Sequence, residues 1–200
     1  MIAKAGGIVR RKLVLSFKLG CLLWLPTLSA RCQSSLVDPS FQGSAGVSGE
    51  QIHSILLLSD GKILVGGEFT QIASGARTNL ARLLSDGQLD ESFQADTDGA
   101  VYKLLQQADG KILVGGGFSN LQGVACLKLG RLLTNGLVDS GFDAGTNFGD
   151  MMSILTLGVQ ADGKILAASF GNQPLLVSTL RRLNPDGQLD DGFINTNIFS

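Results

Sequence analysis

The stretch DGKILVGG runs from Asp60 to Gly67 and returns from Asp109 to Gly116; a third version, DGKILAAS, runs from Asp162 to Ser169. A second motif follows each copy: RLLSDGQLDESF from Arg82, RLLTNGLVDSGF from Arg131 and RLNPDGQLDDGF from Arg182. LVDPSF (Leu36–Phe41) repeats the tail of that second motif. Asp38, Asp90, Asp139 and Asp190 therefore share one register, 52, 49 and 51 residues apart. The chain is an array of units of about fifty residues. Three are complete, over about 50–93, 99–142 and 151–193, and one is partial, over 36–41.

Each unit holds four apolar runs of strand length, separated by turn dipeptides. In the first unit the runs are IHSILLL, KILVGGEF, NLARLL and QLDESF. Six Asp-Gly or Asn-Gly pairs mark the turns, at 60–61, 86–87, 109–110, 135–136, 162–163 and 186–187. These pairs favour tight hairpins because glycine accepts positive φ without a side-chain clash. The unit reads as two hairpins, a four-stranded antiparallel meander.

The second hairpin predicts its own register. A three-residue loop at Ser85-Asp86-Gly87, with Gly87 left-handed, sets Leu84 opposite Gln88, Leu83 opposite Leu89 and Arg82 opposite Asp90. The other units then pair Leu132 with Val138, Arg131 with Asp139, Leu183 with Leu189 and Arg182 with Asp190. A two-residue loop would oppose Leu83 to Asp90, so the three-residue loop is expected. As cross-strand surface pairs, each Arg–Asp contact is expected to contribute about 0.2–1 kcal/mol.

The glycine pair raises the question of a phosphate loop. Such a loop needs a following helix and usually Lys-Ser or Lys-Thr. Gly66-Gly67 is followed by EFTQIASGARTNLARL, and the third copy has Ala168-Ser169. The glycines therefore read as places where a strand lies close to a neighbouring backbone. Four-stranded sheets with two apolar faces must stack on one another, and the fold expected at this repeat length is the β-propeller, with four to eight blades. LVDPSF reads as an N-terminal closing strand. A β-solenoid is the alternative. Three complete blades make an incomplete ring: the chain is a fragment of a larger surface protein, a homo-oligomer completes the ring (two chains giving six blades), or the arc stands open.

The motif DGKIL, then Gly-Gly and Phe, then Arg-Leu, Asp-Gly, and Leu-Asp with Phe three residues after the Asp resembles the delta-60 repeat. That family consists of β-propeller repeats found in several copies in secreted or surface bacterial proteins, and the resemblance spans Leu36 to Phe193. It implies fold and export and carries over no catalytic residue. The glycine pair is also similar to kelch repeats, but the Tyr and Trp that mark those blades are missing.

Residues 1–30 carry Lys4, Arg10, Arg11, Lys12 and Lys18 and no acid. A basic region followed by the apolar Leu13–Ala30 reads as a signal peptide, with 31–200 as the mature repeat domain. The clean apolar part, Leu19–Leu28, is short of the roughly 20 residues of a spanning helix. An extracellular or cell-surface location is expected, with no stable membrane span. The remaining chain holds 11 basic and 17 acidic residues, which argues against a nucleic-acid partner. Cys126 reads as a small buried apolar residue; a Cys32–Cys126 bridge has no support in the spacing.

No catalytic, cofactor-binding or metal-binding residue is assigned. The only histidine, His53, lies on the first strand of its unit, with Tyr102 and Ser153 at the matching positions, and reads as a packing or surface residue. Residues repeated once per unit, such as the Arg–Asp pairs, serve the repeat. The expected function is a non-enzymatic exported scaffold or binding module for a protein or glycan. Its recognition surface would be the variable loops Thr70–Thr78, Ser119–Ala125 and Gly171–Leu175. The alternatives are a propeller hydrolase or lyase, which needs a cluster this sequence does not display, and a calcium-dependent surface protein, for which NPDGQLD (Asn184–Asp190) lacks the alternating acidic ligands.

Overall fold

The computed structural model describes residues 48–73, 75–145, 147–148, 151–171 and 178–193. The signal segment, LVDPSF and most of the loop Gly171–Leu175 lie outside them. Among the described residues, every element is a strand. The first repeat holds β1 (Ser48–Leu57), β2 (Ile63–Ile72), β3 (Gly75–Ala76) and β4 (Leu80–Leu83). The second holds β5 (Val101–Gln106), β6 (Ile112–Gly116), β7 (Asn120–Leu121), β8 (Val124–Ala125) and β9 (Leu129–Leu132). The third holds β10 (Met151–Val159), β11 (Ile165–Gly171) and β12 (Ser178–Leu183).

Each repeat is built on one antiparallel sheet with the same meander order, β1-β2-β4, β5-β6-β9 and β10-β11-β12; β3 also pairs with β2, and β7 and β8 form a separate two-stranded sheet. The fourth run of each unit pairs through one residue only, as the bridges Leu83–Leu89, Leu132–Val138 and Leu183–Leu189. The expected fourth strand is thus a single step of ladder. The chain turns away after it because the Asp of QLD is drawn into a side-chain network, described below.

The turns follow the predicted register. Leu84 N–H donates to Gln88 O at 2.8 Å and Gly87 N–H to Leu84 O at 3.0 Å, with Gly87 at φ +87°. The same bonds recur at Leu133–Leu137 and Asn184–Gln188. The first hairpins repeat the arrangement through Leu58–Lys62, Gln107–Lys111 and Gln160–Lys164. The leading Asp also locks these turns: Asp60 Oδ1 accepts the Lys62 N–H at 3.1 Å, and Asp109 and Asp162 do the same for Lys111 and Lys164.

The cores lie between repeats. Leu64 and Leu80 of the first sheet pack with Val101, Leu104, Ile112 and Val114 of the second. Leu113 and Leu129 of the second pack with Ile154, Leu157, Ile165 and Ala167 of the third. Strand β5 packs on β1 and β2, and β10 on β5 and β6, so the first strands of successive sheets are neighbours. This is the face-to-face stacking of propeller blades.

The glycine pair has two separate jobs. A Cβ on Gly66 would lie 2.5 Å from Val101 Cγ1, and one on Gly115 would lie 3.0 Å from Ile154 Cγ2, both in the next blade. A Cβ on Gly67 or Gly116 would instead meet a carbonyl of its own blade, Gln51 O or Ala100 O, at 2.1 and 2.0 Å. The first glycine lets the next blade approach; the second lets the first strand of its own blade bulge.

Candidate functional site: a groove over the first strands

The motif residues are consumed by the frame. Asp90 Oδ2 accepts from Arg82 Nε at 2.8 Å and from Lys62 Nζ at 3.1 Å. Asp139 takes Arg131 Nε at 2.8 Å and Lys111 Nζ at 3.1 Å; Asp190 takes Arg182 Nε at 2.7 Å and Lys164 Nζ at 2.8 Å. The guanidinium carbons lie 4.6, 4.5 and 4.6 Å above the rings of Phe93, Phe142 and Phe193. The Lys, Arg, Asp and Phe of the motif therefore form one cluster per blade.

These pairs are not the surface contacts expected from pairing alone. Arg82 and Arg131 side chains are only 8% and 7% exposed. Burial pushes the Asp90 carboxyl up, but hydrogen bonds from Ser92, Lys62 and Arg82 outweigh it and hold it well below the usual range. Asp139 is lowered in the same way: Lys111, the Gly141 N–H and Arg131 outweigh burial. A buried charge pair of this kind is costly to break on one side.

What the motif leaves free converges at one end of the first strands. In all three blades the ladder shifts by one residue beside the glycine pair or the Ala168-Ser169 that replaces it, between Ile52 and Ser54, Val101 and Lys103, and Ile154 and Thr156. The extra residue at each bulge is His53, Tyr102 or Leu155. This corrects the alignment of His53 with Ser153: the hydrogen-bond register makes Leu155 its counterpart.

His53 and Tyr102 are brought together from two blades, with ring centroids 4.9 Å apart. Between them stands Glu68, the residue after the glycine pair. Its Oε1 lies 3.3 Å from His53 Nε2 and accepts the Tyr102 hydroxyl at 3.2 Å. Burial, then the charge and hydrogen bond of Glu68, raise the Tyr102 hydroxyl pKa. The hydroxyl acts here as a hydrogen-bond donor to the Glu68 carboxylate. Glu68 and Tyr102 open onto a groove of about 600 Å³, with Thr70 and Thr78 at one wall and Met152 and Ser153 of the third blade at another. Asn79, at φ +62°, shapes its floor: Oδ1 accepts the Phe69 N–H and Nδ2 donates to Thr97 O.

Two of the three variable loops are ordered by backbone pairing. Thr70–Thr78 contains the pairs Gln71–Ala76 and Ile72–Gly75, and Ser119–Ala125 contains the β7–β8 hairpin. Asp98 holds that hairpin by accepting the N–H groups of Ser119 and Asn120, each at 2.8 Å. Cys126 is free and half-buried, and burial raises its thiol pKa; Cys32 lies outside the described residues. Among the described residues, no group of three or more His, Cys, Asp or Glu side chains could hold a metal ion, and no helix is long and apolar enough to cross a membrane.

Stacked meander sheets joined by glycine-lined contacts, each with an identical ionic clasp, define a β-propeller repeat protein. The family model described as "domain of unknown function (DUF5122) beta-propeller" matches residues 58–93, 107–142 and 160–193, more than half of the chain. The chain belongs to that family. Each match ends on the clasp Phe of its blade and begins just after the first strand, which carries the bulge. Neither a curated protein nor a solved structure matches the chain.

Proposed function

We propose that this protein is an exported, non-enzymatic scaffold of the delta-60 type whose groove over the first strands binds a hydroxyl-rich ligand, a glycan, outside the cell or at its surface. The carrying observation is a division of labour. At the clasp, the three blades keep Lys, Arg, Asp and Phe. At the bulge they carry His53, Tyr102 and Leu155, and after the glycine pairs of the first two blades Glu68 and Gly117. Identical frame with divergent side chains at one convergent surface is what a recognition site on a repeat requires. The lining suits sugar chemistry: a carboxylate and hydroxyls to exchange hydrogen bonds, beside a phenol ring and a methionine for the apolar sugar face. The Tyr102 hydroxyl already donates to Glu68, so the pair offers a ligand a phenol ring and a carboxylate held in place. Export rests on the basic and apolar character of residues 1–30.

The test is a glycan array probed with the wild-type protein and with Glu68→Ala/Tyr102→Ala, with the hits re-measured by calorimetry. The proposal expects hits whose affinity falls at least about tenfold in the variant, the loss of roughly 1.4 kcal/mol, with no product released. Hits that survive unchanged in the variant would place binding elsewhere, and chain cleavage would make the protein an enzyme.

A further inference from the structure

Among the described residues, the blade faces that meet one another can be compared with the two that do not. Inside, each junction is the same lock. Val101 and Leu104 of the second blade are 0% and 3% exposed, and both would touch a Cβ on Gly66. Ile154 and Leu157 of the third are 0% and 7% exposed and stand in the same relation to Gly115. The matching residues of the first blade are Ile52 and Ile55, and they are 42% and 66% exposed. The third blade carries the other half of the lock. Ala168 stands where Gly66 and Gly115 stand, and Ala168, Leu166 and Leu180 are all half-buried. Their counterparts Leu64, Leu113, Leu80 and Leu129 are at most 1% exposed. The outer part of the first face is already closed, since Val65, Ala81 and Leu83 are buried in a cluster of their own. The open part is the inner seam.

The first blade thus presents the knobs and the third blade the recess. The knobs are branched aliphatic residues of the kind seated at both internal junctions. The recess is lined by alanine, the smallest side chain after the glycine it replaces.

We propose that a second copy of this chain completes both junctions: Ile52 and Ile55 of each copy seat on Ala168 of the other, giving a closed ring of six blades with twofold symmetry. The contact joins unlike surfaces, so it closes only if the rotation returns after two copies. Six blades lie within the usual four to eight.

Light scattering on the purified protein should give the mass of two chains, and Ile55→Asp should give the mass of one with its circular dichroism unchanged. Ile55 is exposed within a single copy, so the substitution tests the junction and spares the blade. A positive mark comes from cysteines. At the internal junctions the Cβ built on Gly66 lies 3.1 Å from Val101 Cβ, and that on Gly115 lies 3.5 Å from Ile154 Cβ. This is near the Cβ separation of a disulfide. Ile52→Cys/Ala168→Cys should therefore oxidise to a covalent two-chain species, and neither single variant should. A monomeric wild type, an open-ended series of polymers, a dimer that ignores Ile55→Asp, or a dimer whose double variant fails to cross-link would each overturn the proposal.

Discussion

The second and third blades carry the same clasp in different surroundings. Arg131 is covered by the third blade, and its Nη1 donates to Pro185 O at 2.7 Å. Arg182 has the same Asp, Lys and Phe partners, yet its side chain is 22% exposed against 7% for Arg131. The glycine position differs alongside: Gly115 faces Ile154 and Leu157, whereas Ala168 is half-exposed. The comparison teaches that the repeated residues do not make a blade self-sufficient. The clasp holds each sheet's outer edge in shape, and the neighbour supplies the dry interior.

The largest expected effect is at the covered clasp. Arg131→Ala leaves buried Asp139 with Lys111 as its one cationic partner and removes the bond to Pro185, so a loss of about 3–5 kcal/mol is expected in chemical denaturation. Arg182→Ala should lose clearly less. Equal losses would mean that coverage by the next blade contributes nothing.

Acid should act on all three clasps. Lys164's hydrogen bond, aided by those of Arg182 and the Gly192 N–H, holds Asp190 at about 2 against the opposing push of burial. Folded-state values below the unfolded value of about 3.9 stabilise above that pH and lose their contribution as pH falls through the folded value. The melting temperature should stay level down to about pH 5 and drop between about pH 4 and 2. A level profile across that lower window would show the carboxylates to be unlinked to folding.

Smaller effects sharpen the division between turn, frame and groove. Gly61→Ala places a side chain at φ +82° with only Ser85 Cβ nearby, at 3.7 Å, so the cost is backbone strain of about 1–2 kcal/mol. His53→Ala should change stability by no more than about 0.5 kcal/mol. A larger loss would assign His53 to the frame.

The local rules of the chain are readable because turns and cross-strand pairs join residues close in sequence. The three-residue loops, the left-handed glycines, the opposed leucines and the Arg–Asp pairing all stand where the letters place them. Four things are not readable. The motif Lys joins the clasp from the preceding hairpin, and the Phe ring lies over the guanidinium. Both depend on how the chain leaves the sheet after one bridge. The Glu68–Tyr102 contact joins two blades and residues outside the motif, so no spacing announces it. Bulges also displace alignment: His53 matches Leu155 once the ladder is counted, not Ser153. Identical letters can even carry different work. Asp98-Gly99 looks like the six hairpin turns, but Gly99 has no positive φ and Asp98 clamps the β7–β8 hairpin.

The most direct test compares valine at two equivalent positions by chemical denaturation, Gly115→Val and Ala168→Val, with single copies enforced by Ile55→Asp in both. If blades gain their interior from one another, Gly115→Val should lose about 1–3 kcal/mol by crowding Ile154 and Leu157, and Ala168→Val should lose less than about 0.5 kcal/mol. Equal losses at the two sites would contradict it.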